Sequence, residues 1–308
     1  MILSASRRTD IPAYYSEWFI NRLHAGHVLT RNPMNHAQIS KIILSPDVVD
    51  CIVFWSKDPL NMMDKLRIID KLGYKYYFQF TLTPYDKTVE RGLRDKDEIT
   101  KTFCDLSDRI GKERVVWRYD PIILNVALDF TFHKEQFSRL CGRLEGYTEQ
   151  CVISFVDKYP KLRTDILREI SKDEMIELGN MISNTAKEYG IKVKACCEEA
   201  YLYECGIERS SCIDKALVER ICGYELDVKR DRNQRALCGC YESVDIGVYN
   251  TCRNGCVYCY ANYSDVSVDN NCKRHDPLGE LMVGQVGDND KITERDAKSS
   301  KDLQAKLF

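Results

Sequence analysis

Three cysteines stand within eight residues in "CRNGCVYC", residues 252 to 259. Thiolates are the ligands of iron–sulfur clusters and of structural zinc, so Cys252, Cys256 and Cys259 are candidate metal ligands. A [4Fe-4S] cubane normally takes four protein ligands, and a set of three leaves one iron open to a small molecule. Gly255 suits a tightly wrapping loop because glycine tolerates positive φ. The competing reading is a zinc knot, which would need a fourth ligand, and spacing alone does not separate the two.

A second group comprises Cys196, Cys212, Cys238 and Cys240. Cys238 and Cys240 flank Gly239, and residues two apart on an extended segment point the same way. Cys196 ends a strand-like run. Neighbours on a strand diverge, so only one of Cys196 and Cys197 is expected to face such a site, and the choice falls on Cys196. Four thiolates would complete an auxiliary [4Fe-4S] cluster or a structural zinc site, with Cys205 and Cys272 as substitutes.

Composition sets the context of these thiols. Of 15 cysteines in 308 residues, four precede residue 196 and eleven follow from it. An odd count in a chain of this length fits a disulfide framework poorly. Cys51, Cys104, Cys141 and Cys151 lie in apolar or helical patterns and read as small buried hydrophobes, with Cys222 joining them. The net charge of −2 gives no general attraction to nucleic acid or acidic lipid. The basic run "VKRDRNQR" (228 to 235) reads as a solvated loop, with nucleic-acid contact as the alternative. The first residues turn polar after "MIL", and no stretch approaches the ~20 apolar residues of a membrane helix. A cytoplasmic protein without a membrane anchor is expected. Dinucleotide, P-loop, H-E-x-x-H and nucleophile-elbow motifs are absent, and the five histidines stand apart.

The elements that must position the thiols show as eight apolar, β-branched or aromatic runs: 2 to 6, 27 to 32, 51 to 56, 76 to 83, 115 to 120, 151 to 156, 191 to 197 and 244 to 249. Amphipathic stretches at 16 to 26, 97 to 111 and 171 to 190 lie between them, closed by Gly as a helix C-terminal signal. Strand and helix alternating this way predict an α/β fold with a parallel sheet, a (β/α)8-type barrel. The expected domain runs from 1 to 270 and includes a cysteine-rich segment at 196 to 264. Residues 271 to 308 read as a polar, peripheral extension. Polar residues follow the runs: Arg7, Arg8, Thr9, Asp10, Asn32, Lys57, Asp58, Thr83, Arg118, Asp120, Asp157, Lys158, Glu198 and Glu199. Barrel active sites lie at the C-terminal ends of strands, so these residues are expected to converge on one mouth. Phe54, Trp55, Tyr77, Phe78, Phe80 and Trp117 are expected as barrel packing.

The loop "CRNGCVYCYA" resembles the cluster loop of the radical S-adenosylmethionine (SAM) superfamily, and "YCYA" more loosely the spore photoproduct lyase branch. The chain as a whole resembles the bacterial DUF1848 family, a domain of unknown function, through "SASRRTDIPAYYSEWF", "DCIVFWSKDP", "YYFQFTLTPY", "ERVVWRYDPI", "CVISFVD" and "NQRALCGCYESVDIGVYNTCRNGCVYCYANYS". The superfamily resemblance implies a [4Fe-4S] cluster on Cys252, Cys256 and Cys259 that binds SAM and cleaves it reductively to a 5′-deoxyadenosyl radical. It also implies that Tyr258 packs on adenine, and that a reductant such as flavodoxin or ferredoxin supplies the electron. The superfamily's loop follows the first strand, whereas here it follows the last. In a closed barrel the eighth strand neighbours the first, so a circular permutation would keep the loop in its place. "SASRRTD" would then replace the glycine-rich SAM-binding turn, with Arg7 or Arg8 on the SAM carboxylate or a substrate phosphate and Asp10 on the ammonium. The leading expectation is a radical SAM-like enzyme acting on an unidentified substrate. The alternative is a non-catalytic Fe–S or zinc protein with a structural, redox-sensing or nucleic-acid-binding role. DNA repair of the photolyase type is a third reading, resting on "YCYA" and the basic run.

Overall fold

A computed structural model describes residues 1–156 and 166–302. With strands numbered along the chain, the main sheet contains β1 (Ile2–Ala5), β4 (Cys51–Ser56), β5 (Tyr76–Thr81), β6 (Val115–Ile122), β7 (Gln150–Phe155), β8 (Lys192–Ala195), β9 (Glu208–Arg209) and β10 (Val244–Asp245). These eight strands are all parallel, in the order β10-β1-β4-β5-β6-β7-β8-β9. The late strand β10 pairs with the first, Leu3 opposite Val244 and Ser4 opposite Asp245. Hence the segment after β10 emerges beside the segment after β1. β9 and β10 are the two edges, and among the described residues no ladder joins them.

Both faces of the sheet are covered, as a parallel sheet requires. Leu3, Ile52, Phe54, Phe78, Trp117 and Ile153 pack on one face against the apolar stripes of α5 (Lys96–Ile110), α6 (Phe130–Leu144) and α7 (Lys172–Glu188). Ile2, Val53, Tyr77, Val116 and Val152 point the other way, toward Leu217 and Val218 of α8 (Lys215–Cys222). The two-residue strand period carries that second face on to Ser6, Trp55, Gln79, Arg118 and Ser154, which line a cavity at the strands' C-terminal ends. One face of the sheet is therefore apolar at its base and polar at its mouth.

Helix limits follow the local chemistry. α2 (Ser16–Ala25) ends on Gly26 at φ 73°, and α7 starts from a reciprocal capping box between Ser171 and Glu174. The expected second strand run is displaced. β2 (His27–Arg31) pairs antiparallel with β3 (Gln38–Ile43) in a separate small sheet, completed by β11 (Lys291–Glu294) parallel to β3. The connection of residues 32 to 37 is too short for the crossover a parallel neighbour needs. β1 pairs directly with β4 instead, and β9, only two residues long and too short to show periodicity, is the eighth strand at the far edge beside β8. Residues 272–302 are tied to the body of the protein: besides β11, the Ser300 amide donates to Asp50 at 2.8 Å. Among the described residues no helix is long and apolar enough to cross a membrane.

Candidate functional site

The strand ends open on a cavity of about 580 Å³. Its wall carries Cys252, Cys256 and Cys259 as well as Cys196, Cys212, Cys238 and Cys240, so both groups of thiols found in the sequence face one space. Asp157 and Lys158 lie outside the described residues.

The three-cysteine loop follows β10 and is held from two sides. Asp10, 5% exposed, accepts from the side chains of Ser56 (2.7 Å) and Asn254 (3.1 Å) and from the amides of Lys57 (2.8 Å) and Ala13 (3.0 Å). Its carboxylate thereby joins the ends of β1 and β4 to the cluster loop. Tyr14 donates to Asn254 Oδ1 at 2.7 Å. The segment after β5 supports the other side, through Gly92 N to Asn254 O (2.8 Å) and Val257 N to Val89 O (3.0 Å). Gly255 has φ +62°, the left-handed conformation expected of it. Burial pushes the thiols of Cys252 and Cys259 up and that of Cys256 up to about 12, the last opposed by Lys57. A metal bound here must therefore displace protons, as thiolate ligation generally does.

Asp10 spends its oxygens on the protein itself, so it acts on the loop through Asn254. Arg8 reaches Gly247 O at 3.4 Å and lies over Tyr249, 5.1 Å from the ring centre. Arg7 lies over Trp55 at 5.2 Å, and its buried Nη2 has no hydrogen-bond partner among the described residues. The Thr9 hydroxyl, on a residue 6% exposed, is likewise buried and unpartnered. Both residues line the cavity. Two orphaned polar atoms, one of them a guanidinium nitrogen, are what a polar or anionic ligand would satisfy. Tyr258 also lines the cavity. Its hydroxyl donates to Glu90 and its ring carries Lys57 Nζ 5.4 Å from the centre.

Glu90, not among the residues expected from the sequence, braces the site through Tyr258 and Lys57. It is 1% exposed, accepts from Lys57 (2.7 Å), Thr83 (2.9 Å), Lys96 and Tyr258, and its backbone bridges to Cys256. Burial opposes its ionisation, but Lys57 and Lys96 outweigh burial and hold its carboxyl down to about 2. Nothing in "KTVERG" marks it, since its partners come from the residue after β4, the segment after β5, the start of α5 and the cluster loop.

The second group holds five cysteines rather than four. The Sγ atoms of Cys196 and Cys212 are 3.1 Å apart, Cys212 also interacts with Cys240, Cys240 with Cys238, and Cys238 with Cys197. Cys197 interacts in turn with Cys196, which closes a ring. The expectation that only one of Cys196 and Cys197 faces the site is corrected here. β8 stops at Ala195, and Cys197 has φ 60°, so strand alternation no longer applies. Arg118 Nη1 donates to Cys212 Sγ at 3.0 Å, and Arg7 lies in electrostatic reach of Cys212 and Cys240. Hydrogen bonds from Cys196 and Cys240, reinforced by Arg118 and Arg7, hold the Cys212 thiol well below its ordinary range.

Other expected residues are elsewhere. Lys57, Arg118 and Asp120 reach the cavity. Asp58 pairs with Arg94 at 2.6 Å, Thr83 with Glu90, and Asn32 belongs to the small sheet's hairpin. Glu198 accepts from the Phe155 amide at 2.8 Å. Cys205 contacts Ile176 O, Cys272 contacts Tyr15, and Cys222 donates to Asp50 O, so none of these thiols lines the cavity. Cys51, Cys141 and Cys151 are buried and Cys104 is half-buried. Of the aromatic residues, Phe54, Phe78, Phe80, Trp117 and Tyr77 are core, whereas Trp55 belongs to the cavity wall.

Among the described residues no three His, Cys, Asp or Glu side chains converge on a point that could hold one metal ion. A single tetrahedral zinc, with Zn–S bonds of ~2.3 Å, requires sulfurs about 3.8 Å apart. A cubane spaces its thiolates more widely, with one iron behind each. Three soft donors on one loop, facing a cavity, are the donor type that a thiophilic centre takes.

Comparison with known families places the chain. It belongs to the family described as Domain of unknown function (DUF1848), whose model matches residues 2–261. No curated protein and no solved structure shows significant similarity to it.

Proposed function

We propose that this DUF1848 chain is a radical SAM-like iron–sulfur enzyme, built on a (β/α)8-type barrel circularly permuted relative to radical SAM barrels. Support for the permutation comes from the pairing of β10 with β1, which sets the cluster loop next to "SRRTD". The observation that carries the activity is the shared cavity: the three loop thiols open on the same space as the unpartnered Arg7 Nη2 and Thr9 hydroxyl.

Cys252, Cys256 and Cys259 would hold a [4Fe-4S] cluster, which when reduced would supply the one electron needed to cleave the sulfonium C5′–S bond of SAM to methionine and a 5′-deoxyadenosyl radical able to take a hydrogen atom from substrate. The chain's own residues do the positioning. Arg7 offers a charged donor to the SAM carboxylate, and Thr9 a hydroxyl beside it. Asp10 holds the loop through Asn254. Tyr258 presents its ring to the cavity while Glu90 fixes its hydroxyl. Trp55, with Arg7 over its face, walls the ligand from the neighbouring strand. A cavity of this volume falls in the ~300–1,000 Å³ range that encloses a ligand of SAM's size. The reductant, such as flavodoxin or ferredoxin, and the substrate lie outside the residues described.

The test is anaerobic purification with iron and sulfide analysis, then reduction in the presence of SAM and assay of 5′-deoxyadenosine. Product that disappears in Cys256→Ala supports the reading. A fully iron-loaded, reduced protein that forms none returns the account to a non-catalytic metal protein.

A further inference from the structure

The five-cysteine ring lies between the two edge strands of the main sheet, β9 and β10. Cys196 and Cys197 follow β8, Cys212 follows the edge strand β9, and Cys238 and Cys240 precede the opposite edge strand β10. No strand ladder crosses this seam among the described residues. Irregular contacts cross it instead: Arg209 Nη2 to Leu237 O (2.9 Å), Ser211 Oγ to Gly239 O (2.8 Å), Tyr241 N to Ile213 O (3.2 Å) and Ile213 N to Cys240 Sγ (3.4 Å). Gly239 is required for this approach, since a Cβ there would lie 2.6 Å from Ser211 Oγ and 3.0 Å from Ser210 O.

Ordinary packing does not account for the ring. A buried free cysteine packs as a small hydrophobe, yet five from three segments meet here with two arginines beside them. Arg118 donates to Cys212 Sγ, and Arg7 lies within electrostatic reach of Cys212 and Cys240. Guanidinium groups against sulfur are the surroundings of thiolates, not of core thiols. Cys197 also adopts a left-handed backbone that only glycine adopts freely, which turns it toward Cys238.

We infer that Cys212, Cys238, Cys240 and one member of the Cys196–Cys197 pair hold a thiophilic metal centre, zinc or an iron–sulfur cluster, that staples β9 to β10 across the open seam. Four thiolates satisfy either centre, and the adjacent pair gives one spare. Its net negative charge meets Arg7 and Arg118. Metal binding and closure of the sheet then become one event, because the ligands come from both edges. Its thiolate ligands are distinct from those of the SAM-cleaving site proposed above, Arg7 being the residue that borders both, and it stands whether or not that activity exists.

The test starts from the Cys252→Ala/Cys256→Ala/Cys259→Ala chain, which removes the other thiol loop, so that failure of SAM cleavage and failure of this inference are read separately. Purified anaerobically, or reloaded with Zn²⁺ or with Fe²⁺ plus sulfide, it should retain one centre per chain. Zinc and iron-with-sulfide analyses distinguish the two metals. Chelation should lower its unfolding midpoint by roughly 5 °C or more. Adding Cys212→Ser and Cys240→Ser should abolish both the metal and the response to chelator. Cys196→Ser or Cys197→Ser alone should keep the metal, and the pair together should lose it. Where a variant does not fold, alkylation of the full wild-type chain with peptide mass mapping replaces it: the ligand cysteines should be protected with metal and reactive after chelation. A folded chain that takes up neither metal, or ring thiols equally reactive with and without chelator, would overturn the inference.

Discussion

Replacing Gly92 with Ala should drive apart the two segments that build the cluster site. Gly92 has no positive φ, so the demand for glycine here is one of space. A Cβ at this position would lie 2.1 Å from the Arg253 carbonyl oxygen and 3.1 Å from the Arg253 and Asn254 carbonyl carbons. The obstacle is backbone, and the segments must part by about 1 Å to reach ordinary contact. Overpacking of this kind costs ~1–3 kcal/mol, and loss of the 2.8 Å Gly92 N to Asn254 O bond adds ~0.5–1.5 kcal/mol. A total near 2–4 kcal/mol, with a urea slope of ~3 kcal/mol/M, lowers the denaturation midpoint by roughly 1 M. Iron bound by the three-cysteine loop should fall in parallel, because Asn254 lies between Cys252 and Cys256. Urea unfolding with iron analysis reads both effects. Gly142→Ala is the control: Gly142 lies inside α6 with its nearest neighbour, Tyr189 Cε1, at 3.5 Å, and the change should add up to ~1 kcal/mol of helix propensity. A Gly92→Ala protein within ~0.5 kcal/mol of wild type and equally loaded would refute the reasoning.

Glu90→Gln leaves Lys57 and Lys96 buried without their shared counter-charge, and should cost ~3–5 kcal/mol by denaturant unfolding, whereas Tyr258→Phe removes one bond and should cost ~1 kcal/mol. Arg7→Met removes the guanidinium whose Nη2 has no hydrogen-bond partner among the described residues, and should weaken SAM binding about 10- to 100-fold by equilibrium dialysis, while Arg8→Met should change it less than about 3-fold. Burial holds His133 neutral between Tyr119 Oη (2.8 Å) and Ile123 O (2.9 Å), with its folded pKa below the ordinary 6.5. The unfolded chain then binds the extra proton, so stability should fall as pH drops below about 6.5; a pH series of unfolding curves should show that decline and its flattening in His133→Gln.

Much of this was legible in the sequence because it rests on local rules. The main-sheet strands other than β9 show as apolar runs, and Gly26, Ser171 and Gly255 mark their own backbone conformations. The run at 27 to 32 misled because β-propensity does not say which sheet a strand joins; the five residues between it and β3, too few for a crossover, carried that information. Both cysteine groups could be read from spacing. Cys197 could not, since its direction depends on where β8 ends and on one left-handed residue. Trp55 reads as packing until the strand period is followed from Val53 to the mouth. Glu90 and the bracing role of Asp10 depend on partners from several distant segments, so no local pattern records them.

The most direct test of the account is electron paramagnetic resonance of a chain whose seam cysteines Cys212 and Cys240 are replaced by Ser, reconstituted with iron and sulfide and reduced. The account predicts a single reduced [4Fe-4S] signal that changes on adding SAM, because one iron lacks a protein ligand, and that vanishes in Cys256→Ala. A signal indifferent to SAM, or loading of zinc in place of iron at Cys252, Cys256 and Cys259, would contradict it.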